Sequence, residues 1–220
     1  MLRILAAASV AAVLAATSAS ALTMLTYDTV RTPTLSPNVA GPGVTGLDFT
    51  QGAGLSPAGS GPNFGSSSWD PDNASSADAI ADDDIWTWGF TSAAGYDLTD
   101  FSIRLDRSGS GPSDFVIDLS VNGGAFVAVL TDTVSNLGQN YLNVDLSSFD
   151  NVTSATFRLA AFNANNINGR LDLKSFEGVA NNGVGFALTG EIAAVPLPAG
   201  LPLLAAALGG LGLVARRRKS

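Results

Sequence analysis

Apolar and polar residues alternate along most of the chain from residue 85 to residue 188, which is the period of a half-buried β-strand. Trp86, Trp88 and Phe90 share one face of the first such segment. The same pattern gives later segments these apolar faces: Phe101, Ile103 and Leu105; Phe115, Ile117, Leu119 and Val121; Leu142, Val144 and Leu146; Ala155, Phe157 and Leu159; Leu171 and Leu173; Val184, Phe186 and Leu188. Each segment is predicted to be a short strand with one buried face.

The rest of the body between residues 22 and 194 adds short strands and turns. Residues 23–30 and 44–49 can form strands, within a region rich in Gly, Pro and Ser that interrupts regular structure. Asn122-Gly123-Gly124 predicts a hairpin turn. Residues 74–81 allow at most one helical turn. About eight to ten short strands predict an all-β fold, a single β-sandwich of jelly-roll type.

The first 21 residues have the features of a secretory signal peptide. Arg3 supplies the positive charge, residues 4–16 form an apolar stretch, and Ala19 and Ala21 form an A-x-A cleavage site. We expect cleavage before Leu22, and the alternative is an uncleaved N-terminal anchor. In either case the body is placed outside the cytoplasm.

The last 26 residues, 195–220, are predicted to interact with a membrane. Residues 199–215 carry no charge and would form a helix about 25 Å long, close to the minimum for a membrane span. A basic cluster follows, as expected for a cytoplasmic stop: Arg216, Arg217, Arg218 and Lys219. The two prolines before the helix favour an extended peptide that a protease could bind. These features fit a plain C-terminal anchor as well as a processed signal.

The order of motif, helix and basic end resembles a known sorting signal. Val195-Pro196-Leu197-Pro198-Ala199 with the following helix and arginines looks like the VPLPA variant of the PEP-CTERM domain of Gram-negative bacteria. The resemblance implies signal peptidase and an exosortase-type protease as partners, transient insertion into the inner membrane, and delivery to the cell surface, outer envelope or extracellular matrix. Short stretches of the body, such as Asp84-Ile85-Trp86, are similar to other secreted PEP-CTERM proteins and imply no activity.

Charge and missing residue types exclude several functions. The body carries six basic residues against all 19 acidic ones, a formal charge of −13, which disfavours nucleic acid and anionic lipid surfaces. Cys and His are absent. Disulfides, Ser-His-Asp or Cys-His catalysis, and zinc sites of the usual kind are therefore excluded.

Two groups of residues are candidate sites in the body. Carboxylates of the acidic loop could supply oxygen ligands to calcium, although their spacing is not that of an EF-hand and a solvated loop is the favoured explanation: Asp70, Asp72, Asp82 and Asp84. Trp69, in a predicted loop, could contact sugar rings. Trp86 and Trp88 share a strand face with Phe90 and are predicted to belong to the core.

We therefore expect an exported, non-enzymatic β-sandwich of the cell surface or matrix, without a required cofactor. One alternative is a module that binds exopolysaccharide and displays Trp69 in an exposed aromatic strip. The other is a glycan hydrolase, which needs a cleft with two facing acids, one of raised pKa.

Overall fold

The computed structural model describes residues 21–58, 63–136, 140–177 and 183–193. Almost all regular structure in these residues is β-strand, which confirms the all-β class. The strands are β1 (Leu22–Asp28), β2 (Thr34–Leu35), β3 (Pro37–Val39), β4 (Val44–Gln51), β5 (Ser56–Pro57), β6 (Phe64–Ser67), β7 (Ile85–Arg107), β8 (Asp114–Val121), β9 (Val127–Thr133), β10 (Asn140–Asp145), β11 (Val152–Phe162), β12 (Leu171–Leu173) and β13 (Val184–Ile192). One short helix, α1 (Ser76–Ala81), precedes β7.

The longest strand, β7, links all parts of the sheet. Its first half pairs with β4 and β11, and its second half pairs with β13, β10 and β12, always antiparallel. The sequence pattern predicts two separate strands here, one around Trp88 and one around Ile103. The structure differs because one strand spans both segments: its residues up to 92 pair with β4 and β11, and its residues from 96 onward pair with β13.

One continuous sheet thus has two halves, each centred on one half of β7. We call β2, β4, the first half of β7, β11, β8 and β9 layer I, and β3, β1, β13, the second half of β7 and β10 layer II. Ring contacts join the two: Trp88 of layer I lies 5.4 Å from Phe186 of layer II, and Phe157 lies 5.5 Å from Phe101. The arrangement is consistent with the predicted β-sandwich, and the jelly-roll topology stays a prediction.

Aromatic rings form the centre of the core between the layers. The Trp88 indole is stacked between Phe49, at 4.6 Å, and Phe157, at 5.4 Å. Trp86 is fully buried beside them, so the prediction that Trp86 and Trp88 belong to the core is confirmed.

The predicted hairpin and the single helical turn both occur. Asn122 and Gly123 adopt positive φ angles of 52° and 72°, and the Gly124 N–H donates to the Val121 carbonyl at 2.8 Å, which closes a tight turn in the connection from β8 to β9. In α1 the Ser75 side chain accepts a hydrogen bond from the Asp78 backbone N–H and caps the first turn. Ala79 of this helix is buried.

Apart from Ala21, both predicted targeting segments lie outside the described residues. The signal peptide, with Ala19, ends where the description begins at Ala21, and the sorting motif at Val195 begins after it ends. Among the described residues, no helix has the length and apolar character needed to cross a membrane.

Candidate functional site

The outer face of layer I carries polar side chains, several of them partly exposed. Strand register places Thr87, Arg158 and Asp118 side by side in one row across β7, β11 and β8. These residues have the opposite parity to the core residue Phe157, so they face away from the core. The next row along the strands is Gly89, Thr156 and Ser120.

An ion pair and an aromatic ring occupy one end of this face. Arg158 donates from Nη2 and Nε to Asp118 Oδ2, at 2.7 and 3.2 Å. The guanidinium carbon lies 4.1 Å from the centroid of the Phe126 ring, a cation–π distance. The Phe126 side chain follows the β8–β9 turn and is 40% exposed. Arginine is therefore fixed by a carboxylate on one side and a ring on the other.

The opposite end of the face carries mostly short side chains. Leu47 on β4 pairs with Gly89 on β7 and is 40% exposed. A Cβ atom at Gly89 would come within 2.1 Å of the Ala155 carbonyl oxygen, so only glycine fits there. Beside it, the hydroxyls of Thr50 and Thr87 are hydrogen-bonded at 3.0 Å. The face thus runs from an exposed leucine, over glycine and short hydroxyl side chains, to Phe126.

Trp69 does not belong to any exposed surface. It is fully buried, its indole N–H donates to the Ser66 carbonyl at 2.9 Å, and its ring lies 5.9 Å from that of Trp86. The expectation that Trp69 lies in an exposed aromatic strip is wrong. The chain around it folds inward and satisfies its polar atom locally, which a loop-like sequence does not reveal.

The acidic loop uses its carboxylates within the protein. Asp84 is buried and accepts hydrogen bonds through Oδ2 from the Asp70 backbone N–H and from Asn73 Nδ2. Burial raises the pKa of Asp84, and the nearby charges of Asp70 and Asp82 act in the same direction. Asp70 Oδ1 in turn accepts from the Asp72 backbone N–H. The described residues contain no group of three or more side chains arranged as metal ligands, and calcium binding stays a prediction.

One depression of the described residues can be compared with the cleft that the hydrolase alternative needs. A depression of about 260 Å³ is lined by residues 31–33, 57–58, 63 and 65, and none of these described residues is a carboxylic acid. Asp84, whose pKa is raised, is held by its own loop and does not line this depression. A glycosidase of the usual kind needs two acids on opposite sides of one cleft.

Sequence reasoning did not find the Phe126, Arg158 and Asp118 group. The signal was present in part, because both charged residues occupy outward positions of their strands. Only the register of β8 against β11 makes them partners, and only the path of the hairpin brings Phe126 over the guanidinium.

No protein-family model matches the chain, and no curated protein does. Among solved structures, a carbohydrate-binding module of family 29 is similar with a TM-score of 0.42 and 9% identity, over 77% of this chain and 89% of that chain. A point mutant of the module CBM29-2 complexed with mannohexaose gives a TM-score of 0.40 and 10% identity, over 76% and 92%. A second point mutant of the same module gives 0.39 and 10%, over 80% and 99%. These values describe a loose likeness.

Proposed function

We propose that this protein is an exported, non-enzymatic β-sandwich that binds polysaccharide on the outer face of layer I. The observation that carries the proposal is the exposed Phe126 ring beside the Arg158–Asp118 ion pair. One face of the Phe126 ring lies against the Arg158 guanidinium, and we propose that the other face stacks on the apolar C–H side of a sugar ring. The adjacent guanidinium and carboxylate offer fixed hydrogen-bond donors and acceptors to the sugar hydroxyls.

The side chains of the ion pair are already held in place before a ligand binds. The side chains of Arg158 and Asp118 are 18% and 12% exposed, so their outer atoms reach solvent while the rest is held by neighbours. Guanidinium has five N–H donors, and the Asp118 contact uses two of them. A preorganised pair of this kind loses little side-chain entropy when a ligand binds.

The charge of the body favours an uncharged ligand. Arg158 is balanced by Asp118, and the body as a whole has 19 acidic residues and six basic ones. An anionic polysaccharide would be repelled at low ionic strength. The ligand class that fits is therefore a neutral polysaccharide chain lying across the strands from Phe126 towards Leu47.

Replacement of Phe126 by alanine should weaken binding at least about tenfold, equal to about 1.4 kcal/mol, because the stacking surface is lost. Affinity electrophoresis of the full chain in gels containing galactomannan or hydroxyethylcellulose measures this, with alginate as the anionic polymer. The full chain includes the predicted membrane segment and is therefore kept in detergent. This detergent must carry no sugar headgroup, because such a headgroup would compete with the polysaccharide.

Ile167→Ala is the matched control, since Ile167 is an exposed apolar residue, 55% exposed, in the loop between β11 and β12. It should bind as the unchanged protein does. Equal retention of the Phe126 and Ile167 variants, or no retention of the unchanged protein by either neutral polymer, would show that the proposal is wrong.

The destination of the protein is a separate part of the proposal. The VPLPA-type signal at Val195 would be recognised by an exosortase-type protease after export, leaving the β-sandwich at the cell surface or in the matrix. Mass spectrometry of the protein from its native host should find a C-terminus near Pro198 or Ala199, with residues 216–219 removed. An intact tail in the membrane fraction would instead identify a plain C-terminal anchor.

A further inference from the structure

The outer face of layer II carries a second exposed aromatic group. Tyr141 on β10 is 57% exposed, and its ring lies 5.0 Å from that of Phe176 at an interplanar angle of 53°. Phe176 follows β12 and is fixed by a hydrogen bond from its backbone N–H to the Val184 carbonyl, 2.7 Å long. Two rings from distant parts of the chain thus form one platform, which we call the Tyr141 platform.

A buried arginine holds this platform in place. Arg104 is the cross-strand neighbour of Tyr141 and is 4% exposed. Its Nη1 donates a hydrogen bond to the carbonyl of Ser175, the residue just before Phe176. The position of both rings is therefore determined by the sheet before any ligand arrives.

A strip of short, uncharged side chains extends from the platform across layer II. Strand register aligns it across five strands, β10, β7, β13, β1 and β3. Its members are Asn143, Ser102, Ala187, Thr26 and Asn38. Four strand spacings make the strip about 19 Å long. The Asn143 Nδ2 group donates to Ser102 Oγ at 3.0 Å, so the amide is oriented along the surface.

These features fit a sugar chain better than a protein partner. A standard protein interface buries about 800 Å² on each partner. Fully buried aromatic side chains contribute about 150–250 Å² each, and the two rings here are already partly covered. The strip beside them is flat, polar and free of long side chains. The neighbouring row contains Asp145 and Asp100, which disfavours an anionic ligand.

We infer that the Tyr141 platform is a second binding site for neutral polysaccharide, and that the module bridges two polysaccharide chains. Bridging rests on the proposed function, because it needs the layer I site as well. The two sites face opposite directions, and the core of packed sheets between them is about 10 Å thick. A short oligosaccharide molecule therefore occupies only one of the two sites, whereas one protein molecule can hold two long polysaccharide chains, one at each site. Cross-linking of this kind raises the effective affinity between protein and polysaccharide without any new contact.

The test compares the unchanged full chain with Phe126→Ala, Tyr141→Ala and the double variant, in sugar-free detergent. Calorimetric titration with mannohexaose and with cellohexaose measures the number of sites. Light scattering with long galactomannan and hydroxyethylcellulose measures bridging. The unchanged chain should bind two hexasaccharides and cross-link the polymer that it recognises.

Each single variant should bind one hexasaccharide and lose cross-linking, and the double variant should lose both. If Tyr141→Ala behaves as the unchanged chain while Phe126→Ala loses all binding, the second site is wrong and the proposed function stands. If Phe126→Ala changes nothing while Tyr141→Ala loses all binding, the layer I site is wrong, the platform is a sugar site, and bridging is excluded. Failure of both hexasaccharides to bind the unchanged chain would overturn both sites.

Discussion

Replacing Trp88 by alanine should lower the free energy of unfolding by about 3–5 kcal/mol, the range for large aromatic residues removed from a core. The Trp88 ring is stacked on Phe49 at 4.6 Å and on Phe157 at 5.4 Å, and it meets Phe186 of the facing layer edge-on. Its removal leaves a cavity at the point where the two halves of the sheet meet. Guanidinium unfolding followed by circular dichroism measures the loss.

Trp88→Phe is the matched control and should cost only about 1–2 kcal/mol, because a ring remains between Phe49 and Phe157. The indole N–H of Trp88 is buried and has no acceptor among the described residues, so its removal breaks no hydrogen bond there. Phe126→Ala, at an exposed ring, should change stability by less than about 1 kcal/mol. A Trp88→Ala variant as stable as Phe126→Ala would mean that the layers do not pack through this ring.

Replacing Asp172 by leucine should lower the free energy of unfolding by about 3 kcal/mol, because it removes one member of a buried ion pair. The Asp172 side chain is 6% exposed, and its Oδ2 lies 3.3 Å from Lys174 Nζ, whose side chain is 2% exposed. Asp172 also stands opposite Asp106 across β12 and β7, and like charges in that position repel. Lys174 offsets this repulsion, and without Asp172 its buried ammonium group would keep, of these two contacts, the longer one to Asp106, 3.8 Å, whose side chain is 30% exposed.

A double variant separates the charge effect from packing. Adding Lys174→Met to Asp172→Leu removes the buried ammonium group together with its buried partner, and apolar replacements of both members are often neutral. Asp106, the second partner of Lys174, is 30% exposed and can be solvated by water. We therefore expect the double variant to recover most of the stability that Asp172→Leu loses, measured by the same unfolding experiment. The single variant Lys174→Met is measured as well. If the double variant loses as much stability as the two single variants together, packing rather than charge pairing sets the stability at this position.

The sequence predicted core positions better than surface positions. Trp86, Trp88, Phe101 and Phe157 follow a period of two, and this period directly reports which side of a strand is buried. Trp69 lies outside any periodic segment, so its sequence context carried no information about burial. Its place in the core depends on the Ser66 carbonyl, which accepts its N–H, and on the nearby Trp86 ring.

The length of β7 could not be predicted from the sequence either. The alternation of apolar and polar residues breaks down from Thr91 to Gly95, where the residues on both sides of the strand are at least partly exposed. Two strands are the natural prediction there. Only the pairing of both halves of β7 with different neighbours shows that one strand of 23 residues belongs to both layers.

By itself, the sequence determined the all-β class, most of the buried residues, the hairpin at Asn122 and the absence of Cys and His chemistry, since these depend on local pattern and composition. Tertiary structure alone decided which surface residues meet. Arg158 and Asp118 are 40 positions apart, and Tyr141 and Phe176 are 35 apart. Their contacts depend on strand register and on chain path, and a shift of one residue would turn these side chains to the other face.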